Sequence, residues 1–284
     1  MTDVVIARMP RRYDYYDLDE QEDVWAGYIG AHCERSGLSV KYLDYMLNPA
    51  WKRNTQLVTQ EHPVLVGFAI YQPTFNLYQT LKFIKELRAT PGGQSFHVTL
   101  FGDSQIGVEK ILTATGVDSI LIGEEQEFVE LARALKHGGD LANVPGIAYR
   151  EPATGALRYT DPLPLNRDLD SLPFPRRYNL EQMRAEGRLG PDSKTAILGS
   201  RGCYAKCSYC HIQAYEHFYD LYPWRGRSPA NLVAEMEAVW KEYGVRLFDF
   251  ADLNFFGPGK KGQQRVREFA ELLISRGSPF RFTF

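Results

Sequence analysis

The sequence predicts a two-domain α/β protein whose first domain is built on a doubly wound parallel sheet. The chain has 284 residues, and domains of roughly 100–200 residues are typical, so two are expected. Strand-like and helix-like stretches alternate along both halves, which favours parallel strands joined by helices. The run PVLVGFAIY at 63–71 is almost wholly apolar, as in a strand buried on both faces of its sheet.

The amino-acid composition limits the classes of protein to which the chain can belong. The chain is 44% hydrophobic, 24% charged and 13% aromatic, which is typical of globular domains and excludes disordered, collagenous, coiled-coil and disulfide-scaffold proteins. Its net charge of −2 argues against a nucleic-acid partner. The opening MTDVVIARMP is too short an apolar run for a signal peptide, and no stretch reaches the roughly 18 apolar residues of a membrane span. We therefore expect a cytoplasmic protein without a membrane partner.

The elements of the first domain, residues 1–160, follow from local patterns. Helical stretches carry apolar residues at three- and four-residue spacing, and strands are apolar runs bounded by turn residues. A last strand or hairpin is expected at 146–149. The predicted strands are Asp3–Met9, Leu38–Asp44, Pro63–Tyr71, Phe96–Phe101 and Ser119–Ile122, and the predicted helices are Glu20–Ser36, Asn76–Arg88, Val108–Thr115 and Gln126–Lys136.

A proline-rich stretch at 161–193 is expected to link the domains, because proline opposes helix and favours extended chain. The second domain, 194–284, opens with a strand at Thr195–Leu198 and a loop with three cysteines. Ser228, Pro229 and Gly244 suit the start and end of the next helix. A strand at 245–250, a helix at 264–275 and a strand at 280–284 follow. The Gly257–Gly262 stretch fits G-x-G-x-x-G, but it lacks the later acidic residue of a dinucleotide site, so we interpret it as a βα loop.

The candidate metal ligands are three cysteines on one loop. Cys203, Cys207 and Cys210 form a CxxxCxxC pattern, and thiolates this close on one loop favour zinc or an iron–sulfur cluster. A zinc site would need His211 or His217 as a fourth ligand. A haem attachment would use the CxxCH at 207–211, and buried thiols without a ligand form a further alternative. A [4Fe–4S] cluster with three protein ligands would leave one iron open to a substrate or cofactor.

The stretch GSRGCYAKCSYC resembles the cluster loop of the radical S-adenosylmethionine (SAM) superfamily, CxxxCxΦC, in which Φ is aromatic. This resemblance implies that Cys203, Cys207 and Cys210 bind three irons of a [4Fe–4S] cluster and that SAM chelates the fourth. It also implies that Tyr209 packs near the adenine. Arg201 and Lys206 would favour thiolates and a reduced cluster, although solvated charges fit those two positions equally well.

Two further stretches resemble the cobalamin branch of this superfamily. WRGRSP at 224–229 is similar to the RxRSP stretch that leads into the first barrel helix, and FADLNF at 250–255 is similar to the FxDDNF strand end. The resemblance implies that Asp252 and Asn254 lie at the mouth of a barrel near the methionine part of SAM. A turn role for one of the two is the alternative.

The first domain resembles the Rossmann-like cobalamin-binding domain of B12-dependent radical SAM enzymes through VGFAIYQPT, TLFGDSQIG, ILIGEEQE and GIAYRE. Ligands of such sheets lie beyond the carboxyl ends of the strands. No histidine has an aspartate two residues before it, so a histidine-ligated corrin of the D-x-H-x-x-G kind is not expected. The candidate cobalamin contacts, for which βα-turn roles are the alternative, are Gln72, Pro73, Thr74, Gly102, Asp103, Gly123 and Glu124.

The resemblance implies methyl transfer to an unactivated carbon through methylcobalamin. Cyclisation or rearrangement with the same cofactors, and a non-catalytic cobalamin and iron–sulfur binding fragment, are the alternatives. A methylthiotransferase would need three further N-terminal cysteines, and only Cys33 is present. The implied partners are a small-molecule or peptide substrate and an electron donor such as flavodoxin or ferredoxin.

Length sharpens the expected architecture. A βα unit of a TIM-type barrel takes roughly 31 residues, so residues 194–284 hold about three units, whereas the radical SAM partial barrel has six. We therefore expect the first half of that barrel, in a longer protein or completed by a partner chain.

Overall fold

A computed structural model gives the fold. It describes residues 2–10, 22–46, 48, 53–70, 73–102, 107–114, 116–205, 207–210 and 223–283, without the side chains of 73–75 and 114. The described chain divides into two compact units, the first within 1–20 and 25–164 and the second within 21–24 and 165–284. In these ranges no helix is long and apolar enough to cross a membrane.

The described part of the first unit forms one sheet, whose strand order is β2-β1-β3-β4-β5-β6-β7. The strands from β1 to β5 pair in parallel, and β6 and β7 add an antiparallel hairpin at the edge. The predicted buried strand is confirmed over Leu65–Ile70 of the apolar run, as β3. The strands are β1 (Val4–Arg8), β2 (Val40–Asp44), β3 (Leu65–Ile70), β4 (His97–Gly102), β5 (Ser119–Leu121), β6 (Ile147–Arg150) and β7 (Leu157–Tyr159).

Helices connect these parallel strands. The third begins at Pro73, earlier than its predicted start at Asn76, because proline is well tolerated in a first helical turn. Between the second and third strands lies a short helix that the sequence analysis did not predict. The helices are α1 (Val24–Arg35), α2 (Gln56–Thr59), α3 (Pro73–Ala89), α4 (Val108–Ala114) and α5 (Glu125–His137). The ring of Phe128 on α5 packs on Gly67 of β3, where a Cβ would lie 2.7 Å from the ring.

The second unit contains a strand–helix–strand–helix–strand series. Its parallel sheet has the order β12-β11-β8, and β9 pairs with β10 in a separate antiparallel ladder. The strands are β8 (Lys194–Ile197), β9 (Ser200–Arg201), β10 (Arg225–Gly226), β11 (Leu247–Phe250) and β12 (Arg281–Thr283), and the helices are α6 (Tyr178–Ala185), α7 (Pro229–Tyr243) and α8 (Gly259–Ser275).

The core of the second unit lies between its sheet and its helices. Ile197 and Phe250 are paired across the sheet and pack with Met236 of α7 and Phe269 of α8. Leu180 on α6 joins this cluster. The stretch 165–193, for which a linker was expected, therefore belongs to the second unit and contains a helix with a buried face.

Candidate functional site

The cysteine loop, residues 202–210, starts at the base of the second unit's short antiparallel ladder. Arg201 pairs with Arg225 and Ser200 pairs with Gly226, so the chain before the cysteines lies beside residues 225–226. Within the loop, the Cys210 N–H donates to the Cys207 carbonyl at 3.0 Å. The Ala205 N–H lies 3.4 Å from Cys203 Sγ. Local turns thus shape the segment that carries the thiols.

All three loop cysteines are half-buried, and no cysteine of the chain forms a disulfide. Tyr209 between them is 90% exposed, and the neighbouring Cys207 thiol raises the pKa of its phenol. Among the described residues, no three Cys, His, Asp or Glu side chains converge closely enough to hold a metal ion. The residue types nevertheless fit an iron–sulfur cluster, because three half-buried cysteines without disulfides lie on one short loop.

Other residues that the sequence analysis named lie outside the described part of the structure or are buried. Lys206 and the alternative zinc ligands His211 and His217 lie outside the described residues. Arg201 is only 4% exposed, so it is not a solvated charge. Cys33 is fully buried, and burial raises the pKa of its thiol to about 12, as expected of a cysteine that serves as a small core side chain.

Asp252 follows β11 and joins the loops after β8 and β11. Its Oδ2 accepts the Gly199 N–H at 2.9 Å, and its Oδ1 accepts the Ser200 hydroxyl. Burial raises the pKa of this carboxyl to about 6. Both carboxyl oxygens are therefore engaged by the segment that leads into the cysteine loop.

Asn254 has a turn role in the same loop. Its Oδ1 accepts the Gly257 N–H at 3.2 Å. Its backbone carbonyl accepts the indole N–H of Trp224 at 2.7 Å. The predicted pair at the strand end thus contacts the segments that precede and follow the cysteine loop, and the side-chain oxygens of both residues accept backbone or hydroxyl hydrogen bonds.

Arg265 on α8 is a residue that the sequence analysis missed. It donates to the carbonyls of Gly199, Arg227 and Phe255, so it touches the segments before and after the cysteine loop and the loop after β11. The only sequence signal was indirect, namely glycines at 199 and 226, where a Cβ would crowd this side chain.

At the carboxyl edge of the first unit's sheet, the described candidates have structural roles. A Cβ at Gly102, whose φ is 84°, would lie 2.5 Å from the Ile70 carbonyl oxygen. The space beside Gly123 is filled by Glu127, whose Cδ would lie 2.3 Å from a Cβ there. Glu124 caps α5, and its N–H donates to Glu127 Oε2 at 3.0 Å.

The remaining cobalamin candidates are not all described. Gln72 and Asp103 lie outside the described residues, and Pro73 and Thr74 begin α3 with side chains that are also outside them. Among the cobalamin candidates, the structure therefore gives the surroundings of the side-chain position only for Gly102, Gly123 and Glu124.

Comparisons with solved structures cover 99% of the chain. It superposes on the cobalamin-dependent SAM radical enzyme OxsB, with aqua-cobalamin and SAM bound, at a TM-score of 0.77 and 17% identity. It superposes on the radical SAM methyltransferase TsrM of Kitasatospora setae, with tryptophan and a SAM analogue bound, at a TM-score of 0.72 and 18% identity. The chain shares the fold of the cobalamin-dependent radical SAM enzymes. The predicted resemblance is confirmed.

Sequence comparisons agree with this resemblance. An uncharacterised methyltransferase of Pyrococcus horikoshii is 31% identical over 146 residues, which are 49% of this chain and 29% of that protein. An anaerobic magnesium-protoporphyrin IX monomethyl ester cyclase of Synechocystis is 31% identical over 139 residues, 49% of this chain and 26% of the cyclase. No family model matches the chain. The alignments thus span less than a third of either relative, and the chain covers 38% of OxsB and 54% of TsrM.

In this radical SAM fold the RxRSP-like stretch has a packing role. The Ser228 hydroxyl accepts the Asn231 N–H at 3.1 Å and caps α7, as predicted. The side chain of Arg227 is only 3% exposed and pairs with Glu235 of the same helix. Glu235 also pairs with Arg177. The stretch therefore anchors the helix that follows the cysteine loop.

Proposed function

We propose that this chain belongs to a B12-dependent radical SAM enzyme that transfers a methyl group to an unactivated carbon. The observation that carries the proposal is the cysteine loop at the carboxyl end of β8, with three half-buried thiols and no disulfide. The shared fold over 99% of the chain supports it. We also propose that the chain acts in the cytoplasm, because reducing compartments keep such thiols available.

Cys203, Cys207 and Cys210 would hold three irons of a [4Fe–4S] cluster and leave the fourth iron for the amino and carboxylate groups of SAM. When bound and reduced, the cluster would supply the electron for reductive cleavage of SAM, the chemistry that provides a radical able to abstract hydrogen from a substrate. Tyr209, which is 90% exposed, is placed by sequence beside the last two thiols and can stack on an adenine. A flavodoxin or ferredoxin would deliver the electron.

Asp252 and Asn254 would shape the SAM pocket rather than chelate the ligand. Their polar side-chain atoms accept hydrogen bonds from Gly199, Ser200 and Gly257. They would offer SAM a loop whose position is fixed by these hydrogen bonds, and the side-chain N–H groups of Asn254 take no part in the hydrogen bond that its Oδ1 accepts.

We propose that the first unit binds cobalamin and that cobalamin carries the methyl group. The support for this is the fold shared with OxsB and TsrM. The described edge residues add no separate support, since turn geometry and helix capping already explain Gly102, Gly123 and Glu124. Cyclisation or rearrangement is the second candidate, since the Synechocystis cyclase is among the relatives at 31% identity.

Anaerobic reconstitution tests the proposal without a known substrate. The full chain is loaded with iron and sulfide, reduced with dithionite and given SAM, and 5′-deoxyadenosine is measured. Cys203→Ala, Cys207→Ala and Cys210→Ala should each abolish the product, and Cys33→Ala, the matched control in the core, should retain it.

Two results would count against the proposal in different ways. Absence of 5′-deoxyadenosine from a fully iron-loaded wild-type chain would reduce it to a binding module. Failure to retain hydroxocobalamin through gel filtration, while 5′-deoxyadenosine still forms, would remove the corrin and with it this route of methyl transfer.

A further inference from the structure

Three segments of the second unit meet at the base of the cysteine loop. The first, 199–201, leads into the loop, and the second, 224–227, follows it. The third, 252–257, comes after β11 and carries Asp252 and Asn254. The Arg227 N–H donates to the Gly199 carbonyl at 2.9 Å, which joins the first two segments. The Trp224 indole donates to the Asn254 carbonyl at 2.7 Å, which joins the second to the third.

Arg265 contacts all three segments. Its Nη2 donates to the Gly199 carbonyl at 2.5 Å, its Nε to the Arg227 carbonyl at 2.7 Å and its Nη1 to the Phe255 carbonyl at 2.7 Å. A guanidinium holds five N–H donors in one rigid plane, so one side chain can bond three carbonyls at fixed angles. A lysine ammonium in its place would lack that planar fork.

The surroundings are built to hold this side chain. The guanidinium lies 4.7 Å from the Phe255 ring centre and 5.7 Å from that of Trp224, distances at which a cation is attracted to an aromatic face. A Cβ at Gly226 would lie 2.9 Å from Arg265 Nε, and one at Gly199 would lie 3.2 Å from Nη2. The same Cβ atoms would lie 2.6 Å from the Trp224 ring and 2.6 Å from the Phe255 ring, respectively, so glycines at both positions leave room for the two rings and for the guanidinium packed on them.

Both backbone polar groups of Gly199, the carbonyl and the N–H, are hydrogen-bonded. Its carbonyl accepts from Arg265 and from the Arg227 N–H, and its own N–H donates to Asp252. Gly199 begins the short segment that continues into Cys203. The placement of the first thiol is thus tied to the loop after β11 through Arg265 and Asp252.

We propose that Arg265 is a positioning residue that fixes the cysteine loop relative to the Asp252–Phe255 loop. When SAM binds at the cluster, the Asp252–Phe255 loop would then already be in place as one side of the SAM site. This inference rests on the proposed function. Arg265 donates its three hydrogen bonds to backbone carbonyls and not to the thiols. Its effect should therefore fall on SAM binding more than on iron loading.

The test compares Arg265→Gln and Arg265→Lys with Arg267→Gln, a control two residues further along α8 that is exposed. The reconstituted, reduced full chain is titrated with SAM, and the change in the cluster's electron paramagnetic resonance signal gives the half-saturating concentration. Iron content and far-UV circular dichroism are recorded in parallel. A second readout needs no cluster: amide hydrogen exchange of the metal-free chain over 199–202 and 254–257.

Arg265→Gln should raise the half-saturating SAM concentration by roughly 10–100-fold, the range found when groups that orient metal ligands are removed. Arg265→Lys should raise it less, and Arg267→Gln should match wild type. Exchange over the two segments should quicken by about tenfold or more in Arg265→Gln, because three charged hydrogen bonds are lost, while α7 keeps its protection.

A folded Arg265→Gln chain with wild-type SAM titration would overturn the inference, as would unchanged exchange over the two segments. If that variant fails to fold, a folded Arg265→Lys chain with wild-type SAM titration and exchange overturns it equally. If the wild-type chain takes up no cluster, the proposed function fails, and the exchange experiment still decides whether Arg265 holds the two loops together.

Discussion

Replacing Asp252 with asparagine should change how the stability of the chain depends on pH. In the folded chain, burial raises the pKa of this carboxyl from an ordinary 3.8 to about 6. The folded state therefore holds the proton more tightly than the unfolded state, and stability rises as pH falls through about 6 toward 3.8. Between about pH 7.5 and about pH 5, the linkage relation gives a gain of about 1.4 kcal/mol for the wild-type chain.

Asp252→Asn has no proton to bind at this position, so it should lack that gain. Urea unfolding of the metal-free chain at the two pH values measures it as a difference between the two proteins, in which other titrating groups cancel. Asp192→Asn, the same substitution at an exposed position, corrects for the loss of one charge. Parallel curves for Asp252→Asn and wild type would refute the assignment of a buried, proton-retaining carboxyl to this loop.

Three further changes test the packing around the two sites. Glu235→Gln should lower the free energy of unfolding by about 3–5 kcal/mol, because the buried guanidiniums of Arg177 and Arg227 both lose this carboxylate, although Arg177 keeps Glu22. The exposed Glu237→Gln should cost under about 1 kcal/mol, and equal costs of the two substitutions in urea unfolding would contradict this. Gly123→Ala should destabilise by about 1–3 kcal/mol through overpacking. Gly190→Ala, where a Cβ meets nothing within 4 Å, should change the free energy of unfolding by no more than about 0.5 kcal/mol. Thermal melts compare the two variants, and equal destabilisation would contradict the crowding at Gly123. Iodoacetamide should label the three loop cysteines of the metal-free native chain but not Cys33, whose burial raises its thiol pKa to about 12; mass spectrometry showing rapid labelling of Cys33 would contradict its burial.

Local chemistry made some elements predictable from sequence. The helix α7 runs from Pro229 to Tyr243, as Ser228, Pro229 and Gly244 predicted, since a capping hydroxyl and a glycine with φ of 74° act within one turn of each end. The buried strand β3 was equally plain because all of its residues are apolar or small.

Long-range pairings were not predictable in the same way. The helix α6 lies in a proline-rich stretch, and what holds its segment is the burial of Leu180 and the pairing of Arg177 with Glu235, which is 58 positions away. Arg265 reaches the Gly199 carbonyl across 66 positions. Neither partner carries a local signal for the other, because any charged residue on a helix can as easily face water.

Two carboxylates use their oxygens on neighbouring loops: Asp252, which is a predicted ligand contact, and Glu127, which is not one but lies beside the predicted contacts Gly123 and Glu124. Glu127 spans two loops of the first unit by accepting the N–H groups of Glu124 and Leu163, and Asp252 spans two loops of the second by accepting from Gly199 and Ser200. In both cases a carboxylate beyond a parallel strand serves the turn itself.

The same edge of a parallel sheet needs such side chains for its own loops and for any ligand, so residue type and position cannot separate the two roles. The hydrogen bonds that each side chain makes in the structure can separate these two roles. A carboxylate whose oxygens are both bonded to neighbouring loops has little left to offer a ligand, whereas the loop cysteines are half-buried and none is spent on a disulfide. Within the described residues, Asp252 and Glu127 therefore serve the loops that they join, and the half-buried loop cysteines are the stronger candidates for binding a ligand.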